Sequence, residues 1–309
     1  MSKIFFTTAS EMFVLFFFMA LGYIFNKKKI TPDTTAQVLS KLEMNVFLPA
    51  LCFNTFASKF TRENLTTYVQ PLLWAVVLLL ITAVSSWLIA KLFSKSSDTR
   101  AVYTYAFTIP NIAYMGYPLI NSVFGDEALF DYMVFGLPFQ VYIFTVAVYM
   151  LNPKREFSLK KLLNPSLIAL FLGAVWGVLG LRVPVLFGNL LTMAGDCMAP
   201  LAMLLSGFIL ARSPVRELVN NPKMYLASIL RLIVFPVVFT AILWSLGVDK
   251  YTVMIAACLL SLPMGLNNIV FPEAFGGDSK TGAQSCFVCN IMGLVTVPVM
   301  FGIITYLFA

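Results

Sequence analysis

Long apolar runs, separated by short linkers that carry Lys and Arg, recur from one end of this 309-residue chain to the other. A hydrocarbon core of about 30 Å needs roughly 20 residues of apolar helix at a rise of ~1.5 Å each. Ten runs reach or approach that length: 4–25, 35–57, 68–93, 101–124, 130–151, 165–181, 187–211, 224–246, 253–275 and 284–307. Composition then closes the soluble alternative. Hydrophobic residues make up 60% and charged residues 11%, against roughly 45–50% and about 25% in soluble domains, and a chain of this size cannot hide that surplus in its own core. The expectation is an all-α integral membrane protein of ten transmembrane helices. Span 2, which contains Lys41 and Glu43, and span 6, which is short, have the least sharply marked limits.

A net charge of +7 raises nucleic acid as a partner, but the basic residues form no face. They cluster between apolar runs, as in Lys27-Lys28-Lys29 and Lys154-Arg155, which is how topology signals are distributed. Of the 21 Lys and Arg, 14 belong to the loops after the odd-numbered spans and five to the N-terminus and the remaining loops. The first set is expected in the cytoplasm, placing both termini outside. Span 1 reads as a retained helix rather than a cleaved signal, being long, containing Glu11 and lacking a small-residue cleavage site.

The chain has no histidine, which removes the commonest general base and transition-metal ligand. Cys286 and Cys289 form a Cys-x-x-Cys, yet no second pair completes a zinc site; the five cysteines, all inside apolar runs, read as small core- or lipid-facing residues. No cofactor, metal site or intramembrane enzyme motif is expected. A receptor or sensor would ordinarily carry a soluble signalling domain, and the longest loop here is about a dozen residues.

An internal repeat appears at half the chain length. Span 4 contains Pro110-Asn111 and Gly116-Tyr117-Pro118, and is followed by Gly125-Asp126. Span 9 contains Pro263-Met264-Gly265, Asn267-Asn268 and Pro272, followed by Gly277-Asp278. These landmarks are offset by 152 to 154 residues, and Pro49 in span 2 lies 151 before Pro200 in span 7. With five spans in each half, the second half enters the membrane upside down. That is the inverted-repeat architecture of alternating-access transporters. The first repeat is 1–151, the cytoplasmic linker 152–164 and the second repeat 165–309.

Pro110 and Pro263 stand about nine to ten residues into their spans, ~14–15 Å deep. Proline deletes a backbone donor there and clashes with the preceding turn, and the neighbouring Asn and Gly tolerate irregular backbone. Broken helices at that depth must be buried in protein or line a watery cavity. Two of them, symmetry-related, are expected to cross and to aim helix N-termini at an anion. The candidate binding residues are Pro110, Asn111, Tyr114, Gly116, Pro263, Gly265, Asn267 and Asn268, with backbone dipoles and amides contributing more than a salt bridge. Of the ionisable residues inside spans, Glu11, Asp131 and Glu273 lie near span ends, and Lys41 and Glu43 can snorkel or pair with each other's neighbours. Asp196 and Arg231 are harder to dismiss. Without histidine, a proton or ion relay falls to carboxylates, Asp196 or Glu43.

Leu-Pro-Ala at Leu48–Ala50, Asn-x-x-x-x-Gly-x-Pro from Asn111 to Pro118, Pro-Leu-Ala at Pro200–Ala202 and Arg-Leu-x-x-x-Pro from Arg231 to Pro236 occur in this order across ten spans. In these the chain resembles the auxin efflux carrier family, which includes plant auxin carriers and bacterial permeases linked to malate or malonate. The resemblance implies a scaffold of spans 1, 2, 6 and 7 and a mobile transport domain of spans 3–5 and 8–10. It also implies crossover residues at Pro110, Asn111 and Pro263, and a homodimer working by an elevator-like shift. Without the long central loop of many plant members, this chain is similar to the compact bacterial type. Met264 stands where the first half has Asn111, so the two half-sites differ chemically. The expected function is secondary transport of a small organic anion, a carboxylate, across the cytoplasmic membrane. The alternatives are a sodium-coupled symporter of the bile-acid type or a membrane sensor.

Overall fold

The computed structural model describes residues 2–64, 66–154 and 164–308, so residues 155–163 of the basic linker lie outside the described residues. The described residues are helical, with one isolated backbone bridge. Six helical stretches are long and apolar enough to cross a membrane: Ile4–Lys27, Val69–Phe93, Ile112–Leu151, Val185–Leu210, Pro222–Ser245 and Ser279–Phe308. Pro165–Val178 and Lys250–Leu260 are shorter apolar helices. The remaining apolar segments of the sequence are divided by interruptions, each with a local cause.

Proline accounts for most of them. Wide π-helical turns occupy Glu43–Phe47, Ile112–Gly116 and Leu230–Val234, and each ends two residues before a proline: Pro49, Pro118 and Pro236. A proline ring collides with the carbonyl four residues back in a regular α-turn and offers no N–H to it, and adding a residue to the turn relieves both faults. A fourth π turn, Ile143–Ala147, follows Pro138. At Gly125 the backbone takes φ 85° and ψ 179°, a conformation reserved for glycine, so the helical run 117–142 bends sharply there.

The chain divides into two compact units. The smaller comprises Val14–Gln70 and Ser158–Arg212. It contains the end of α1 (Ser2–Lys27), α2 (Thr35–Leu42) and α3 (Leu48–Lys59) joined through their π turn, and α8 (Pro165–Val178). It also holds α9 (Val185–Asp196) and α10 (Met198–Leu210), which meet at Cys197. Small residues bring the backbones of these helices into contact. A Cβ on Gly173 or Gly177 of α8 would fall 2.6 Å from the Phe53 carbonyl oxygen or 2.3 Å from that of Phe60. Gly22 and Gly207 play the same part between α1 and α10. Where lipid replaces water there is no hydrophobic drive between helices, and close backbone approach supplies the dispersion energy instead.

The larger unit comprises Met1–Phe13, Pro71–Phe157 and Ser213–Ala309. It holds most of α4 (Val69–Phe93), then α5 (Ser97–Thr108), α6 (Tyr117–Tyr142) and α7 (Val148–Leu151). The second half supplies α11 (Val215–Val219), α12 (Pro222–Ile229), α13 (Phe235–Ser245), α14 (Lys250–Leu260), α15 (Asn267–Phe275) and α16 (Ser279–Phe308). Asp278 caps α16, accepting from the Thr281 N–H at 3.0 Å and its hydroxyl at 2.7 Å, and also takes a 2.7 Å hydrogen bond from Thr99 near the start of α5. Burial works against the Asp278 charge, but these donors, with Lys280 close by, outweigh it and hold the carboxyl below its ordinary value. Outward faces of the long helices are apolar, with Leu73, Leu80 and Val84 along α4 all exposed, as a lipid-facing surface requires.

Candidate functional site

Two interruptions in the larger unit lie against each other. Helix α5 stops at Thr108, and residues 109–111 leave helical geometry before the π turn that leads into α6. Helix α14 stops at Leu260, and α15 begins only at Asn267. Between them Pro110 and Met264 face one another in an antiparallel bridge. The Asn111 N–H donates to the Pro263 carbonyl at 2.8 Å, and the Gly265 N–H to the Ile109 carbonyl at 3.2 Å. Each break thus satisfies backbone groups that the other has orphaned, the condition on which non-helical backbone survives away from water. The approach is close enough that a Cβ on Gly265 would lie 3.1 Å from the Pro110 oxygen.

The structure therefore brings Pro110, Asn111, Pro263 and Gly265 together at one crossing. Asn111 is only 3% exposed, and its side-chain amide nitrogen has no hydrogen-bond partner among the described residues. Asn268, fully buried, donates to the Ser285 hydroxyl at 2.9 Å, and its oxygen has no hydrogen-bond partner among the described residues. Asn267 is hydrogen-bonded with the hydroxyl of Tyr105, which also lies 3.4 Å from the position of a Gly265 Cβ. Gly116 is buried at the end of the π turn, where its Cβ would sit 2.4 Å from the Tyr132 hydroxyl; Tyr114, in the same turn, is half-buried.

Sequence reasoning did not select Tyr105, Tyr132, Ser285 or Cys286, yet all touch the crossing. The Cys286 thiol lies 3.4 Å from the Gly265 carbonyl, and a Cβ on Gly293 would be 2.9 Å from the Pro263 ring. The usable signal was a helical stripe of small and polar residues along the apolar α16: Gly282, Ser285, Cys286, Cys289, Asn290 and Gly293. Cys286 and Cys289 are buried core thiols.

The other candidates lie elsewhere. Glu43 belongs to the smaller unit. It is fully buried in the π turn, and neither carboxylate oxygen has a hydrogen-bond partner among the described residues. Of the two options the sequence left open, snorkelling or pairing with neighbours, pairing of Glu43 is not found among the described residues. The reason is local: Lys41 is exposed and Asn45 turns its amide to the Lys41 carbonyl at 2.7 Å. Asp196 is exposed at the end of α9. Asp131, one of the presumed span-end residues, accepts a 2.6 Å hydrogen bond from Tyr251, and Glu273 is exposed.

Long apolar helices, outward lipid-type faces and two helix breaks that complete each other define a multi-pass membrane transporter. The chain belongs to the membrane transport protein family, that of the auxin efflux carriers, whose model matches residues 7–160 and 155–301. Among its relatives is the Escherichia coli protein named uncharacterized transporter YfdV, 22% identical over 295 residues, covering 91% of this chain and 92% of the relative. An uncharacterized transporter of Methanothermobacter thermautotrophicus is 22% identical over 286 residues, covering 90% and 92%.

Proposed function

We propose that the protein is a secondary transporter of a small organic anion, a carboxylate, which it binds where the two broken helices cross. The observation that carries this reading is the Pro110–Met264 bridge with its two flanking hydrogen bonds. The resumed helices start beside it, and among the described residues the Asn111 amide nitrogen and the Asn268 amide oxygen are buried without a hydrogen-bond partner. Helix starts carry about half a positive charge each, and such half-helix ends hold anionic groups in transporters with discontinuous helices.

Counted with their interruptions, the helices make ten crossings in two inverted repeats of five, with both termini outside. The larger unit serves as the transport domain and the smaller as the scaffold of a homodimer, and access alternates by an elevator-like displacement of the first. The grouping of the chain into these two units supports that division of labour. Glu43 is the coupling group of choice over the exposed Asp196. A carboxylate buried without a protein partner needs a proton or a cation to compensate it.

The test is a thermal-shift titration of detergent-purified protein with succinate, malonate and benzoate, with and without sodium. A ligand present at ~100 times its dissociation constant stabilises by about 2.7 kcal/mol, a readable shift. Asn111→Ala is expected to reduce the shift and to impair uptake into proteoliposomes while leaving a folded protein. Uptake at wild-type rates by both Asn111→Ala and Pro110→Ala would remove the site assignment. A shift seen only with sodium would move the reading to a sodium-coupled symporter.

A further inference from the structure

We propose that Arg231 is the fixed charge that makes the crossing an anion site, pairing with the carboxylate of the transported molecule. The inference rests on the transporter reading and names the group that neutralises its substrate. Arg231 is fully buried, and none of its three guanidinium nitrogens has a hydrogen-bond partner among the described residues. It sits in the π turn Leu230–Val234, and wide turns of this kind are frequent at functional sites. Its electrostatic neighbours are Cys289 and Tyr132, and no Asp or Glu is among them.

Those two neighbours tie Arg231 to the crossing from both sides. The Cys289 thiol is hydrogen-bonded to the backbone of Met264, the residue opposite Pro110, and to the Ser228 side chain. The Tyr132 hydroxyl stands 3.5 Å from the carbonyl of Ile112, the first residue of the π turn that resumes span 4. The turn that carries Arg231 packs against α16 and α5, the helices that border the two breaks.

The charge balance favours a bound anion over a purely structural cation. A buried ion with no partner is strongly destabilising, and a fork of five donors is matched by a carboxylate in two parallel hydrogen bonds. Helix starts supply only partial charges of about one half, which fall off within a turn. They orient a carboxylate without neutralising it. Arg231 does both, whereas a cation at the same place would be repelled by it.

The experiment uses the full-length protein in detergent, with Arg231→Met, Arg231→Lys and Asn111→Ala. Each is titrated with potassium succinate, malonate and benzoate, against potassium chloride and phosphate as inorganic controls. Arg231→Met should weaken carboxylate binding on the order of 100-fold, the scale of a lost charge-assisted pair, with Arg231→Lys intermediate. Unliganded Arg231→Met should melt at or above the wild-type temperature, because an apolar chain of similar length replaces an uncompensated charge. Two results overturn the inference alone: wild-type carboxylate affinity in Arg231→Met while Asn111→Ala has lost it, or a lowered melting temperature of unliganded Arg231→Met. Equal response to chloride or phosphate would make Arg231 an inorganic-anion site instead. A wild-type protein that answers to no carboxylate takes down the transporter reading and this inference together.

Discussion

Gly282→Ala tests the packing on which the crossing depends. A Cβ at this position would lie 2.0 Å from the Asn268 carbonyl oxygen and 2.9 Å from its carbon. Carbon–oxygen contacts settle at about 3.3 Å or more, so α15 and α16 would have to part by over ~1 Å. Because both atoms in the clash are backbone or rigidly attached to it, no side chain can swing aside. Forced overpacking costs about 1–3 kcal/mol. Moving α15 also strains the Asn268–Ser285 hydrogen bond of 2.9 Å, worth about 1 kcal/mol, while alanine returns up to ~1 kcal/mol of helix propensity. The net loss is about 2 kcal/mol, a fall in melting temperature of roughly 3–6 °C. The control is Gly188→Ala in α9, where nothing lies within 4 Å of the new Cβ and the propensity gain stands alone. Differential scanning fluorimetry of both variants in one detergent reads the contrast. If Gly282→Ala melts with the wild type, helix apposition at the crossing is looser than these distances state and the reasoning fails.

Three further outcomes are expected. Asp278→Asn should destabilise the protein in a pH-dependent way. The folded carboxyl is held below its ordinary 3.8, so its contribution is present above that value and is lost as pH falls through the lower folded value. The melting-temperature gap between wild type and variant should thus be full above ~pH 5 and close below ~pH 4; a gap that widens in acid would contradict the hydrogen-bond account. Glu43→Gln removes no hydrogen bond, so melting should be unchanged or raised, while uptake should lose its dependence on the pH gradient; a variant that keeps full pH dependence would exclude Glu43 as the coupling group. Asn111→Ala should lower carboxylate affinity at least ~10-fold with little change in unliganded stability, since its amide nitrogen makes no hydrogen bond to lose, as isothermal titration would record.

Much of the architecture was legible in local chemistry. The membrane class followed from apolar run length, and the interruptions at 109–111 and 261–266 from Pro110-Asn111 and Pro263-Met264-Gly265, because proline acts on the turn it occupies. The π turns before Pro49 and Pro236 had the same cause, yet the sequence marked no break in span 2 or span 8; how a chain accommodates a proline, by kink or by widening, is set by its neighbours. Glu43 and Arg231 show a second limit. Their positions inside apolar runs were plain, but a sequence cannot say that the first would have no hydrogen-bond partner among the described residues or that Cys289 and Tyr132 would be the electrostatic neighbours of the second.

What the amino-acid sequence determined alone was everything governed by one helix at a time: which segments suit lipid, where the backbone must break, and which residues tolerate the break. Tertiary structure decided what the breaks do. Hydrogen bonds between Asn111 and Pro263 and between Gly265 and Ile109 join residues more than 150 positions apart, and the stripe on α16 that closes over them acquires meaning only from what it covers. Contacts of that range depend on helix placement in space, and an orphaned backbone group away from water leaves the chain no alternative but to find its partner there.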